Sequence, residues 1–245
     1  MAEGSLKAFE LPAWILAKEA ELEAHRVTCK VDPCTDCGRY RCPSCAAKVE
    51  AQGHCGPCEA TRHRERLLAG VDLARDFFDC EMSGPRARGA LSPTTLARAA
   101  ASLQTKRIVL TGLHGSGKTT LLAAMMIART TAAHPRWRGF WVSAHDLAKA
   151  RSMASLGSEP ETVRRALQAD LLCVDELGGE SDRYGSALSE VIYERHAQGR
   201  QTWVTTGVSP QAIAQRYGGG IARRVFEDVP EAPEQHARFD LVRGR

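Results

Sequence analysis

The stretch Gly112-Leu-His-Gly-Ser-Gly-Lys-Thr119 decides the fold that we predict for this chain. It matches the pattern G-x-x-x-x-G-K-[ST] in full, in which backbone N–H groups of a glycine-rich loop surround phosphate oxygens. The apolar, β-branched run Arg107–Thr111 precedes it and predicts a buried parallel strand. Residues Thr120–Ala128 follow it and are mostly strong helix formers. This strand–loop–helix context predicts a site for a nucleoside triphosphate.

Apolar, β-rich runs recur between helical stretches at residues 108–111, 140–143, 171–175, 202–206 and, more weakly, 238–242. Strands that alternate with helices predict an α/β fold with a parallel sheet covered on both faces. The run Leu171-Leu-Cys-Val-Asp-Glu176 ends in two carboxylates, at the strand end where ligands bind in open α/β sheets. We expect Asp175 to orient Mg²⁺ through water and Glu176 to polarise the water that attacks the γ-phosphate.

These two motifs supply the predicted ligands of ATP and Mg²⁺. Lys118 is expected to reach the β- and γ-phosphates, and the Thr119 hydroxyl to hold Mg²⁺. The helix that starts here directs the positive end of its dipole at the phosphates. The full predicted set is Gly112, Gly115, Ser116, Gly117, Lys118, Thr119, Thr120 and Asp175.

Length and composition predict a soluble protein with one medium domain and a small appendage. The chain has 245 residues, of which 43% are hydrophobic and 25% charged. We find neither an apolar run near the roughly 20 residues of a membrane span nor a secretion signal, which predicts a cytoplasmic location. Residues 1–64 hold nine Lys or Arg and nine Asp or Glu, whereas the remainder holds 24 and 20. The positive excess therefore falls on the nucleotide-binding part.

Seven of the nine cysteines lie between Cys29 and Cys58. In a reducing cytosol such a cluster indicates a metal site rather than disulfides. Two residues between paired cysteines place both thiolates on one edge of a tetrahedral site, which favours zinc over an iron–sulfur cluster or a redox role. The predicted zinc ligands are Cys34, Cys37, Cys42, Cys45, Cys55 and Cys58.

The pairing of these ligands stays open. Joining the first and last C-x-x-C pairs leaves a 17-residue spacer, as in zinc ribbons, but leaves Cys42 and Cys45 unused. A two-metal site would recruit His25 and Cys29 as a fourth pair.

We predict two domains, a helical and cysteine-rich zinc-binding domain over residues 1–64 and an ATPase domain over residues 65–245. The first should include a helix over residues 5–26, which either docks on the rest of the protein or binds a partner. The short basic run Arg62–Arg66 predicts a solvated helix face at the boundary. Cys173 lies inside an apolar run and is expected to be a small core residue.

The pairing of Gly112–Thr119 with Leu171–Glu176 resembles AAA+ ATPases. More narrowly, the chain resembles the DnaC/DnaI-type helicase loaders and the related IstB transposition helpers over residues 66–245. Leu188–Arg195 and Arg200–Thr206 are similar to that family's helix and sensor strand. The resemblance implies a P-loop AAA+ parallel sheet with flanking helices and no C-terminal lid, in addition to the small zinc-binding domain.

Arg216–Val225 resembles the arginine-finger box of the same family, and the finger position falls on Arg224, with Arg223 as its neighbour. Such an arginine completes the site of a neighbouring subunit, so the resemblance implies an ATP-dependent homo-oligomer, a ring or a spiral. Where family members carry Asn in the sensor strand, this chain has Gly207. In this chain, sensing of the γ-phosphate would then depend on Thr206 or on Thr205.

The resemblance implies a Mg²⁺-dependent ATPase that binds a replicative DNA helicase and assists its placement on single-stranded DNA. DnaI-like loaders carry a zinc-binding module ahead of the ATPase core, and residues 1–64 fit that plan. The alternative is an IstB-like ATPase that assembles on DNA and recruits a transposase. A zinc-dependent DNA-binding regulator with a vestigial nucleotide site is disfavoured by the intact Lys118, Thr119, Asp175 and Glu176.

We expect elemental analysis of the purified chain to find about one or two zinc ions, because three C-x-x-C pairs lie within residues 34–58. A strong chelator should unfold this segment, since metal binding supplies its folding energy, and spare the ATPase core. Metal-free protein whose amino-terminal third is folded would rule the zinc site out.

Overall fold

The computed structural model describes residues 40–41, 48–49, 56–133, 137–154, 158–181, 187–227 and 235–241. The chain separates into two compact units, Met1–Leu67 and Leu68–Arg245. The zinc-binding and ATPase roles of residues 1–64 and 65–245 stay predictions.

In the first unit, β1 (Tyr40–Arg41) pairs antiparallel with β2 (Lys48–Val49). Helix α1 covers Gly56–Gly70, so its last three residues belong to the second unit, and it includes the basic run Arg62–Arg66, most of which is exposed, as predicted. The predicted helix over residues 5–26 lies outside the described residues.

The second unit is built on a sheet of five parallel strands, which confirms the predicted α/β class and all five predicted strands. The strand order is β4-β5-β6-β3-β7. The strands are β3 (Arg107–Gly112), β4 (Gly139–Ser143), β5 (Leu171–Asp175), β6 (Gln201–Thr206) and β7 (His236–Leu241).

Strand register brings the predicted motifs to one edge of the sheet. Val174 of β5 is paired with Val204 of β6, so Asp175 comes level with Thr205. On the other side of β6, Thr206 is paired with Thr111 of β3, directly before the glycine-rich loop. Because parallel strands all point the same way, three loops converge at this edge.

Helices cover both faces of the sheet. Serine hydroxyls cap three of them by accepting a backbone N–H, and proline occupies the first turn of two of these three. The helices are α2 (Pro85–Ala90), α3 (Pro93–Ala101), α4 (Lys118–Thr131), α5 (Ala144–Ser152), α6 (Glu161–Gln168), α7 (Ala187–Ala197), α8 (Pro210–Tyr217) and α9 (Gly219–Phe226). A 3-10 helix spans Arg75–Phe77. None of the helices in the described ranges has the length and apolar character to cross a membrane.

Two apolar cores lie against the sheet. One surrounds α4, whose residues Leu121–Ala128 are all buried, so this helix is apolar on every side. Cys173 belongs to this core, with its Sγ 3.7 Å from Met126 Sδ, which confirms its predicted place. The other core packs α5 to α9 against the alternate side chains of the strands, such as Leu172 and Val204.

Arg195 of α7 is fully buried between these elements. Its guanidinium donates to backbone carbonyls of Ala166 at 2.6 Å and Ala169 at 2.7 Å, to that of Gln201, and from Nε to Thr202 Oγ1 at 3.0 Å. Burial lowers its pKa to about 10, so the side chain stays charged at neutral pH. One cation thus ties α7 to the end of α6 and the start of β6.

Candidate nucleotide-binding site

The glycine-rich loop adopts a conformation that its glycines make possible. Gly112 has φ of 145°, and Gly117, the residue before α4, has φ of 87°. A side chain at Gly112 would place its Cβ 2.3 Å from the Leu241 carbonyl oxygen and 2.7 Å from Ser116 Oγ. The loop therefore requires glycine at its first position on both steric and conformational grounds.

Lys118 lies over the loop. Its Nζ donates to the carbonyl oxygens of Gly112 and Leu113, both at 2.9 Å. Burial lowers the pKa of Lys118, and the carboxylates of Asp175 and Glu176 act in the opposite direction. The ammonium is thus held at the loop by neutral acceptors, and phosphate oxygens are stronger acceptors for a charged donor.

Ser116 gives an independent indication of a ligand. Its residue is 3% exposed, and its Oγ is buried without a hydrogen-bond partner among the described residues. A buried hydroxyl that lacks a partner costs about 1–3 kcal/mol. An acceptor oxygen of a bound ligand would satisfy it. Thr120, also predicted to bind, lies half-buried in the first turn of α4.

Asp175 joins the ends of three elements. Its Oδ1 accepts from Thr119 Oγ1 at 3.1 Å and from Thr205 Oγ1 at 2.5 Å. Burial raises the pKa of Asp175, and the hydrogen bonds from Thr205 and Thr119 act in the opposite direction. A divalent cation would favour the charged carboxylate, and oxygen donors of this kind suit Mg²⁺.

Glu176 follows in a strained conformation, with φ of 61° in a residue that is not glycine. Such backbone costs about 1–3 kcal/mol and is concentrated at active sites. The backbone N–H of Glu176 donates to Thr205 Oγ1 at 2.8 Å, which holds the turn. Its carboxylate is exposed at the edge of the sheet where the loop lies.

The two threonines at the end of β6 differ in their contacts. Thr205 Oγ1 contacts Asp175 and the N–H of Glu176. Thr206, the predicted catalytic residue, is fully buried, and its hydroxyl donates to the Leu177 carbonyl at 2.7 Å. Because side chains alternate along β6, Thr205 faces the Asp175 carboxylate and Thr206 faces away from it. Gly207 lies close to the loop, since a Cβ there would be 3.8 Å from the Gly112 carbonyl oxygen.

Arg224 contacts other elements. Its Nη1 donates to the Gly220 carbonyl at 2.9 Å, and its guanidinium carbon lies 4.3 Å from the ring centroid of Tyr193. Arg107 Nη1 donates to the Arg224 carbonyl at 3.1 Å. None of the contacts found for Arg224 among the described residues reaches the loop Gly112–Thr119.

The predicted zinc site falls largely outside the described residues. Of its six cysteines only Cys58 is described, and it is buried. Within the described ranges no group of three or more His, Cys, Asp or Glu residues could hold a metal ion. The zinc site stays a prediction.

No protein-family model and no curated protein sequence matches this chain. Several solved structures are similar to it. The crystal structure of the DnaC helicase loader is similar with a TM-score of 0.55 and 18% identity, over 69% of this chain and 100% of that one. A proposed primosome component from Streptococcus pyogenes serotype M3 is similar with a TM-score of 0.50 and 16% identity, over 71% of this chain and 92% of that one.

At these identities the likeness shows the fold. It agrees with the five-stranded parallel sheet and its flanking helices, so the chain shares the α/β fold of these structures, as the sequence predicts. The roles of individual residues stay predictions, which the geometry makes testable.

We expect Thr205→Val to lower the rate of ATP hydrolysis by about tenfold, because it removes one of two hydroxyls on Asp175 and the acceptor for the Glu176 N–H. Steady-state hydrolysis by the purified full chain measures this rate. Thr205→Ser keeps the hydroxyl and should stay within about twofold of the unmodified chain. If the rate of hydrolysis falls further in Thr206→Val than in Thr205→Val, Thr206 and not Thr205 is the sensing residue.

Proposed function

We propose that this chain is a Mg²⁺-dependent ATPase that acts as a helicase loader. The observation that carries the ATPase assignment is the convergence of Thr119, Asp175 and Thr205 beside the glycine-rich loop. The ends of three separate elements supply these groups, so their meeting is a property of the fold and not of one motif.

Each side chain has a role that its position supports. Lys118 exchanges the carbonyls of Gly112 and Leu113 for phosphate oxygens, and Ser116 donates its unsatisfied hydroxyl. Thr119 and Asp175 would hold Mg²⁺, which would neutralise charge on the phosphates. Glu176 accepts a hydrogen bond from the attacking water and aligns it.

Lys118→Ala should weaken ATP binding by about tenfold or more, since it removes the cation nearest the phosphates. Glu176→Gln keeps the shape of the site but not its charge, so it should bind ATP and hydrolyse it at least about 10²-fold more slowly. Binding is measured by titration calorimetry, and turnover by phosphate release. Lys149→Ala, at an exposed lysine of α5, is the matched control. Normal turnover in Glu176→Gln would remove this residue from catalysis.

We propose further that Arg224 acts in the site of a neighbouring subunit. Its described contacts are with α7, α9 and Arg107, away from its own loop. A guanidinium that approaches from outside can stabilise the charge that develops during phosphoryl transfer, an effect worth about 10³-fold or more. Head-to-tail contacts of this kind produce a ring or a spiral.

Arg224→Ala alone should bind ATP and fail to hydrolyse it, and Lys118→Ala alone should also be inactive. A mixture of the two should recover part of the ATPase activity, because one subunit offers an intact loop and its neighbour an intact arginine. Phosphate release at varied mixing ratios measures the recovery. Recovery no greater than the sum of the separate chains would contradict action in trans.

The loader assignment is supported by the fold shared with the DnaC helicase loader and by the distribution of charge. Residues 1–64 are neutral, while the positive excess lies in residues 65–245. Basic surfaces bind nucleic acid through its phosphates, whereas residues 1–64, which carry no net charge, are suited to a protein partner. We assign helicase binding to residues 1–64 and single-stranded DNA binding to the ATPase assembly.

We expect the full chain to capture a replicative helicase without ATP or DNA. A chain that lacks residues 1–64 should lose the helicase and keep ATP-stimulated, salt-sensitive binding to single-stranded DNA. Co-purification and fluorescence anisotropy measure the two activities. If the full chain does not bind the helicase but assembles on duplex DNA with a transposase, the IstB-like function is favoured.

A further inference from the structure

Glu180 is a buried carboxylate that the nucleotide chemistry does not use. The residue is 5% exposed. Its Oε1 accepts from Arg216 Nε at 2.9 Å and from the Tyr217 hydroxyl, and its Oε2 accepts from the Gly178 N–H at 3.1 Å. Arg216 Nη2 also donates to the Glu180 carbonyl. We call these contacts the Glu180 cluster.

The cluster joins the two parts of the chain that carry the predicted catalytic groups. Glu180 lies four residues after Glu176, on the loop that follows β5. Arg216 and Tyr217 form the end of α8, and α9 with Arg224 begins directly after the single residue Gly218. The cluster therefore connects the loop that follows Glu176 to the helix pair that carries Arg224.

The contact is of a different kind from the ion pairs at the surface. In the Arg216–Glu180 pair the side chains are 24% and 3% exposed, whereas in the Arg165–Asp72 pair they are 37% and 45% exposed. Exposed pairs add little rigidity, while a buried carboxylate that loses its partner leaves an uncompensated charge. The cluster is therefore a strong determinant of where α8 ends.

The loop after β5 has other supports. The Leu177 N–H donates to the Thr205 carbonyl at 2.8 Å, and the Gly179 N–H donates to the Glu176 carbonyl at 2.9 Å. The first bond fixes the loop on β6 and the second closes the turn of the loop, and neither involves Glu180. The junction between α8 and α9 depends on the cluster more than the loop does. The reason is that Gly218, with φ of 90°, interrupts the helix, so α8 and α9 are not one continuous helix.

We propose that Glu180 is a positioning residue for hydrolysis in the neighbouring subunit. It fixes the α8–α9 junction to the loop after β5, and so sets the position from which Arg224 reaches the neighbour's ATP. This inference rests on the proposed action of Arg224 in trans. A misplacement of about 1 Å in a group that stabilises the transition state is enough to cost about 10²-fold in rate.

Mixtures of full-length chains separate this role from a role in the chain's own site. The reference mixture contains Lys118→Ala, which donates the arginine, and Arg224→Ala, which supplies the intact loop. In the donor arm, Glu180→Gln is added to the Lys118→Ala chain. In the acceptor arm, it is added to the Arg224→Ala chain.

We expect kcat to fall about tenfold in the donor arm, with KM for ATP unchanged, because only the arginine is displaced. The acceptor arm should stay within about twofold of the reference mixture. Asp72→Asn, which breaks the exposed pair with Arg165, is the control and should change neither arm. Tyr217→Phe removes a single hydrogen bond of the cluster and should lower kcat in the donor arm by a smaller factor. This variant replaces Glu180→Gln in the experiment if Glu180→Gln does not fold.

An unchanged donor arm, or an equal loss in both arms, would overturn the inference. If the reference mixture itself is inactive, the proposed action of Arg224 in trans fails, and this inference fails with it.

Discussion

The carboxylate of Asp175 is the contact on which the rest of the candidate site depends. It accepts hydrogen bonds from Thr119, in the first turn of α4, and from Thr205, near the end of β6. These contacts require three parallel strands to end at one edge in the observed register, with β6 between β3 and β5. Burial raises the pKa of Asp175, so the fold holds this carboxylate where a divalent cation would stabilise its charge.

Strain and an unsatisfied hydroxyl lie at the same edge of the sheet. Glu176 has positive φ, Ser116 has a buried hydroxyl without a described partner, and Lys118 contacts only neutral carbonyls of its own loop among the hydrogen bonds found. The strained backbone of Glu176 and the unsatisfied hydroxyl of Ser116 are costly in the free chain, and a phosphate ligand would accept hydrogen bonds from Ser116 and Lys118. Their clustering at one edge of the sheet is the physical argument for a nucleotide site. The packed core around α4 is rigid enough to maintain it.

Much of this arrangement could be predicted from the sequence, because local patterns fix local structure. The alternation of apolar runs located all five strands, and the glycine-rich loop located the start of α4. The strand order could not be predicted from periodicity, since it depends on packing between distant segments. The contacts of Thr205 and Glu180 were missed for the same reason. Thr205 and Thr206 are adjacent and chemically alike, and the side chain that faces Asp175 depends only on which residue of β6 lies on that side of the strand. Glu180 has its partners 36 and 37 residues away, and no spacing rule links them.

Titration calorimetry of the full chain with a non-hydrolysable ATP analogue, with and without Mg²⁺, tests whether the glycine-rich loop and Asp175 form a nucleotide site. We expect one nucleotide to bind per chain, with affinity that rises when Mg²⁺ is present, because Thr119 and Asp175 would hold the cation. Absence of binding under both conditions, or binding that Mg²⁺ leaves unchanged, would contradict the assignment of this loop and carboxylate to ATP.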